Sequence, residues 1–109
     1  MQIHLLTPEI IATLPPLYAT DGQGDDAIAR VKFYTVYSDP GWTWYATEYS
    51  PKERLFFGLV MGFEAELGYF SLDELEAFHG PGVRHPEINI VRDPHWTPRT
   101  LAECRWDHA

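Results

Sequence analysis

The sequence has little cysteine, little basic charge and no long apolar run. Its one cysteine, Cys104, excludes an internal disulfide and any thiolate-rich zinc site. A reducing cytosol is the compartment this implies. The longest strongly apolar stretch, Leu55 to Phe63, is far too short to span a bilayer. The opening residues MQIHLLTPEIIATLPP lack a basic stretch and carry Glu9, which argues against a secretory signal. A cytoplasmic protein with no membrane contact is therefore expected. Lys and Arg number 8 against 16 Asp and Glu, for a net charge of −8. Phosphate-backbone binding needs clustered Lys and Arg, so no direct nucleic-acid contact is expected. Repeats and low-complexity segments are absent too. What is present is 109 residues with 45% apolar and 22% charged side chains, which suits one globular domain over residues 1–109 and excludes general disorder. Aromatics are abundant, at 15%.

Local signals divide this domain. Thr7 as N-cap, Pro8 at the first helical position and Ile10, Ile11 and Leu14 on one side predict a short N-terminal helix, which Pro15-Pro16 ends. A polar turn-rich loop follows at Asp21–Asp26. Val31–Tyr37 is β-branched and aromatic, with Val31, Phe33, Thr35 and Tyr37 on one face. Ser38-Asp39-Pro40-Gly41 turns the chain into a second strand, Trp42–Tyr49. Alternation there puts Trp42, Trp44 and Ala46 on one face and Thr43, Tyr45, Thr47 and Tyr49 on the other. Leu55–Met61 reads as a third strand and Leu67–Phe70 as a short fourth. Ser71 and Glu74 form a capping box for a helix that turns Leu72, Leu75 and Phe78 inward and ends at His79-Gly80-Pro81-Gly82. Ile88–Val91 suits an edge strand, and the stretch from Thr97 to Cys104 a last helical turn. The expected fold is α+β: an antiparallel sheet of about four strands, a short N-terminal helix and a helix after the last strand.

Three sets of residues bear on chemistry. His79, His85, Asp93 and His95 are the candidate metal set for a hydrolase or nuclease. They lack ligand spacing, and surface loop histidines are the preferred reading, so no cofactor is expected. Cys104 has no nucleophile signature around it and reads as a buried thiol. Tyr34, Trp42 and Trp44, with Tyr45 and Tyr49, either fill a core, stack single-stranded bases or meet a protein partner. Charge is the sharpest feature. Residues 55–80 hold Glu64, Glu66, Asp73, Glu74 and Glu76 and no Lys or Arg. This is either a solvated face or a surface that competes for a basic nucleic-acid groove on another protein.

Leu14-Pro15-Pro16-Leu17-Tyr18, Val31-Lys32-Phe33-Tyr34, Gly41-Trp42-Thr43-Trp44-Tyr45-Ala46-Thr47-Glu48, Phe57-Gly58-Leu59-Val60 and Glu66-Leu67-Gly68-Tyr69-Phe70-Ser71-Leu72 together resemble the bacterial domain-of-unknown-function 2958 family. The resemblance covers residues 5 to 103, and Arg92-Asp93, Trp96 and Pro98 are similar to the family's C-terminal tail. It implies small proteins borne on mobile genetic elements and supplies no catalytic residues. Taken together, the expectation is a non-catalytic accessory protein that binds a host protein or complex. Its concrete form is an acidic inhibitor of a CRISPR- or restriction-type defence complex. The expected contacts are the acidic residues 64, 66, 73, 74 and 76 and the aromatics Tyr34, Trp42 and Trp44. The alternatives are the metal-dependent enzyme and a single-stranded nucleic-acid binder. Oligomeric state is left open by the sequence.

Overall fold

The branched and aromatic residues that begin at Val31 build a five-stranded antiparallel sheet. The computed structural model describes residues 5–36, 41–80 and 88–108. Helix α1 (Pro8–Ile11) is followed by a single 3₁₀ turn at Gly24–Asp26 and strands β1 (Ile28–Ala29), β2 (Val31–Thr35), β3 (Thr43–Ser50), β4 (Leu55–Met61) and β5 (Ala65–Ser71). Helix α2 (Leu72–Glu76), β6 (Ile90–Arg92), β7 (Arg99–Thr100) and α3 (Leu101–His108) complete the order. The main sheet runs β5-β4-β3-β2-β6, and β1 pairs separately with β7. The fold is α+β as expected, with one more main-sheet strand than the sequence suggested. Strand β5 is also longer than Leu67–Phe70. The last helical turn is instead an eight-residue helix.

Local chemistry sets the element boundaries. Thr7 Oγ1 accepts from Ile10 N–H at 3.3 Å and starts α1. Ser71 Oγ accepts from Glu74 N–H, also at 3.3 Å, and starts α2. Both helices are short because proline follows the first and Gly80, at φ 88°, follows the second.

The two faces of the sheet bury separate cores. On the first, Val31, Phe33, Ala46, Tyr49, Phe56 and Phe70 pack under Leu5, Leu6 and Leu14 and under Leu72 and Leu75 of α2. Phe33, Phe56 and Phe70 form a chain of rings with centroids 5.3 and 5.1 Å apart. On the second, α3 lays Leu101 and Cys104 over Tyr45 and Leu59, with Ala27 and Ala29 beside them. Trp96 closes this layer: its Nε1–H donates to Ala29 O at 3.0 Å and its ring lies 5.5 Å from Tyr45.

Tyr49 corrects the simple alternation read from the sequence. Ala46 pairs with Gly58 and Glu48 with Phe57, so Thr47 is an extra residue in β3. The bulge returns Tyr49 to the Ala46 face, against Phe56 at 4.6 Å, and turns Glu48 to the Tyr45 face. Gly58 makes the bulge possible, since a Cβ there would sit 1.9 Å from Tyr45 O. Thr47 is buried and donates its hydroxyl to Phe57 O at 3.1 Å. Strand β2 no longer flanks β3 beyond the bulge, and Tyr49 N–H donates to Pro15 O instead at 2.9 Å. The segment after α1 is thereby tied to the sheet.

Candidate interaction surface

The α1 segment and α2 cover only part of the first face. At the opposite end, where β3 begins and β4 ends, the aromatic pair of the sequence meets the turn between β4 and β5. Trp42 N–H donates to Thr35 Oγ1 at 2.9 Å and Thr35 N–H donates to Trp42 O at 3.1 Å, which fixes the start of β3 against β2. The Trp42 ring lies directly on Gly62, where a Cβ would stand 2.5 Å from the ring. Glycine at 62 is what seats the indole. Trp44 is 6.1 Å from Trp42, and Phe63 meets Trp42 edge-on at 5.4 Å. Phe63 is 88% exposed.

Glu66 stands across from Val60 in the β4–β5 pairing. Together Trp42, Val60, Phe63, Glu64 and Glu66 line a shallow depression of about 240 Å³. Both glutamates are exposed. Chemically this is an apolar aromatic floor with a carboxylate rim. Burying the rings against a partner removes them from water, and the rim favours Arg or Lys on the surface it meets.

The residues singled out in the sequence are only partly brought together. Trp42 and Trp44 join Glu64 and Glu66. Tyr34 does not, because Phe33 is the residue paired with Trp44 and Tyr34 faces the other way. There it sits under the Lys32 ammonium, which lies 5.7 to 5.8 Å from the Tyr34, Tyr45 and Trp96 rings. Asp73, Glu74 and Glu76 belong to the far end of β5, separated from Glu64 by a strand of seven residues, or roughly 20 Å. Arg54 engages two of them, with Nε 2.7 Å from Asp73 Oδ1 and a guanidinium nitrogen 2.6 Å from Glu76 Oε1. Those pairs are exposed and contribute little stability, but they offset charge locally.

Of the candidate metal set, His85 lies outside the described residues. His79 Nδ1 is 2.7 Å from Ile90 O of β6, and Asp93 Oδ1 accepts from the backbone N–H of His95 at 2.9 Å. Among the described residues no group of three or more His, Cys, Asp or Glu gathers into a metal-binding cluster. Cys104 is fully buried, and burial pushes its thiol up to about 11, well away from a reactive thiolate. No described helix is long and apolar enough to cross a membrane.

Glu48, an acid within β3, is buried to 2% exposure. Its Oε1 accepts from Tyr18 N–H and its Oε2 from Thr20 N–H, both at 2.7 Å, and the Thr20 hydroxyl donates to Oε2 as well. Tyr18 takes φ 75° to present its amide. An acid near the end of an apolar strand was the only sequence signal, and its role depends on the bulge before it.

The fold and its exposed corner define a class: a small α+β domain with one aromatic–acidic surface and no ligating cluster among the described residues. The chain belongs to the family described as protein of unknown function (DUF2958), whose family model matches residues 5–104. No curated protein and no solved structure matches it.

Proposed function

We propose that this is a non-catalytic binding protein that docks the Trp42–Trp44–Phe63 corner, rimmed by Glu64 and Glu66, onto a basic surface of another protein. The observation that carries this reading is Phe63, 88% exposed beside Trp42 and flanked by acids in a stretch without Lys or Arg. An exposed ring of this kind, backed by half-buried Trp42 and Trp44, is costly to leave in water and suits the anchor of a protein contact. Basic protein grooves that bind nucleic acid have the complementary charge. The concrete form is a cytoplasmic accessory protein of a mobile genetic element that blocks a host CRISPR- or restriction-type complex by competing for its nucleic-acid groove. The mobile-element setting comes from the family resemblance and is an analogy of context.

Net charge −8 and the acidic rim weigh against the same aromatics stacking single-stranded bases. The test is capture from a host lysate on wild-type protein and on the Trp42→Ala/Phe63→Ala variant, read by mass spectrometry. The expected result is a nucleic-acid-handling protein held by the wild type, lost by the variant and displaced by added DNA. Identical captures by the two forms would remove the corner as the contact surface. Direct binding of the isolated protein to an oligonucleotide at about 150 mM salt would favour the base-stacking reading instead.

A further inference from the structure

Strand β5 is the outer strand of the sheet, and its pattern of free backbone groups follows from the register. Leu72 N–H donates to Arg54 O at 3.0 Å, and Gly62 N–H donates to Glu64 O at 3.2 Å. These bonds bracket the β4–β5 ladder. Antiparallel pairs alternate between bonded and non-bonded, so Phe70, Gly68 and Glu66 turn their backbone groups toward Phe56, Gly58 and Val60. The N–H and C=O groups of Ala65, Leu67 and Tyr69 and the N–H of Ser71 therefore point away from the sheet, while the Ser71 C=O caps α2. No described residue bonds to those outward groups along that edge.

Exposed edges are normally blunted by charge, above all Lys, by Pro, by a bulge or by brevity. Strand β5 sets only Glu66 against this: seven residues pair with β4 in unbroken register, without Pro or Lys. The side chains beside the free edge are apolar, with Leu67 42% and Tyr69 52% exposed. Phe57 supports Tyr69 at 5.0 Å. Phe57 and Leu67 also border a depression of about 320 Å³ together with Thr20 and Asp21.

We infer that the β5 edge is a strand-addition site for an extended segment of a partner protein that carries Lys or Arg among its apolar residues. Backbone bonds to Ala65, Leu67, Tyr69 and Ser71 supply affinity, and Leu67 and Tyr69 take the segment's apolar side chains. Charge selects the occupant. Glu64 and Glu66 stand at one end of the strand, exposed Glu74 at the other, beyond the Arg54-paired Asp73, and Asp21 near its face. An antiparallel pairing of two β5 strands brings the Glu64 end of one copy to the Glu74 end of the next, like charge against like. A basic segment meets complementary charge at both ends. This inference rests on the binding reading in taking the partner to be a basic protein and shares Glu64 and Glu66 with it, but it uses the β5 edge in place of the Trp42 and Phe63 rings.

The probe is a capped peptide of about eight residues alternating Lys and Val, long enough to run along β5. Its acidic counterpart alternates Glu and Val. Amide hydrogen exchange by NMR is the readout. The expected result is slowed exchange at the amides of Ala65, Leu67, Tyr69 and Ser71 with the basic peptide alone. The amides of Glu66, Gly68 and Phe70 should change little. Leu67→Pro removes an outward N–H without breaking the β4 ladder and should weaken binding roughly tenfold or more. Leu67→Lys repels the peptide without a backbone change and should act in the same direction if the proline variant fails to fold. Phe63→Ala should leave peptide binding intact, so loss of the corner reading and loss of this one are separable. Equal protection by both peptides, protection elsewhere, or protection of these amides in peptide-free protein as its concentration rises would overturn the inference.

Discussion

The carboxylate of Glu48 takes three hydrogen bonds from one short stretch of chain, and none of the donors is a cation. Two are backbone amides, at Tyr18 and Thr20, that β2 does not reach. Losing the acceptor leaves two part-buried amides and a buried pocket without their partner, and each donor left unpaired costs up to about 1–3 kcal/mol. Glu48→Ala should therefore lower unfolding stability by about 2–4 kcal/mol in urea. Glu48→Gln should restore only part of it, because its amide nitrogen would face a donor. A variant as stable as wild type would show that the Tyr18 segment is held by other contacts. None of this was legible in the sequence, where Glu48 stands between Thr47 and Tyr49 as one more polar residue on a strand.

Elements whose boundaries depend on neighbours in sequence were readable, and those that depend on distant partners were not. Thr7 and Ser71 cap helices through residues three positions away, so both starts could be read directly. The bulge at Thr47 depends on Gly58 in the next strand, and no feature within β3 announces it. Strand β6 was visible as an apolar run. Helix α3 was understated because its inward side chains are few, with Leu101 and Cys104 buried and Trp106 83% exposed. The layer between β3 and α3 has a measurable consequence at high pH. Burial, the nearby Cys104 and Asp107 push the Tyr45 hydroxyl up to about 12, and burial first raises Cys104 to about 11. Both groups are neutral in the folded protein at neutral pH, and both ionise more readily when unfolded. Their contribution is fully present below pH 9, the ordinary thiol value, and is lost as pH rises through about 11 and 12. Urea midpoints measured from pH 8 upward should fall across that window. Tyr45→Phe should flatten the upper part of the fall, and an unchanged profile would contradict the assignment.

Charge at the scale of the whole molecule was the feature most legible from the sequence, and its spatial division was not. The acids of residues 55–80 look continuous on paper, yet Glu64 and Glu66 rim the aromatic corner while Asp73 and Glu76 engage Arg54 at the other end of β5. Arg54 lies beyond the start of that stretch and reaches α2 from a turn at φ 52°. The tryptophans were legible as a pair, whereas Phe63 became part of the surface only when Gly62 placed the turn beside Trp42. If a basic protein surface docks on this corner, Glu64 and Glu66 steer the approach and exposed Glu53, on the turn between β3 and β4, does not. The most direct measurement is the association rate of Glu64→Lys/Glu66→Lys against the captured partner, at low and at physiological salt, with Glu53→Gln as the control. A slower on-rate and a weaker salt dependence are expected for the double variant, with an unchanged melting temperature and a control like the wild type. A double variant that associates at the wild-type rate at low salt would contradict docking at this corner.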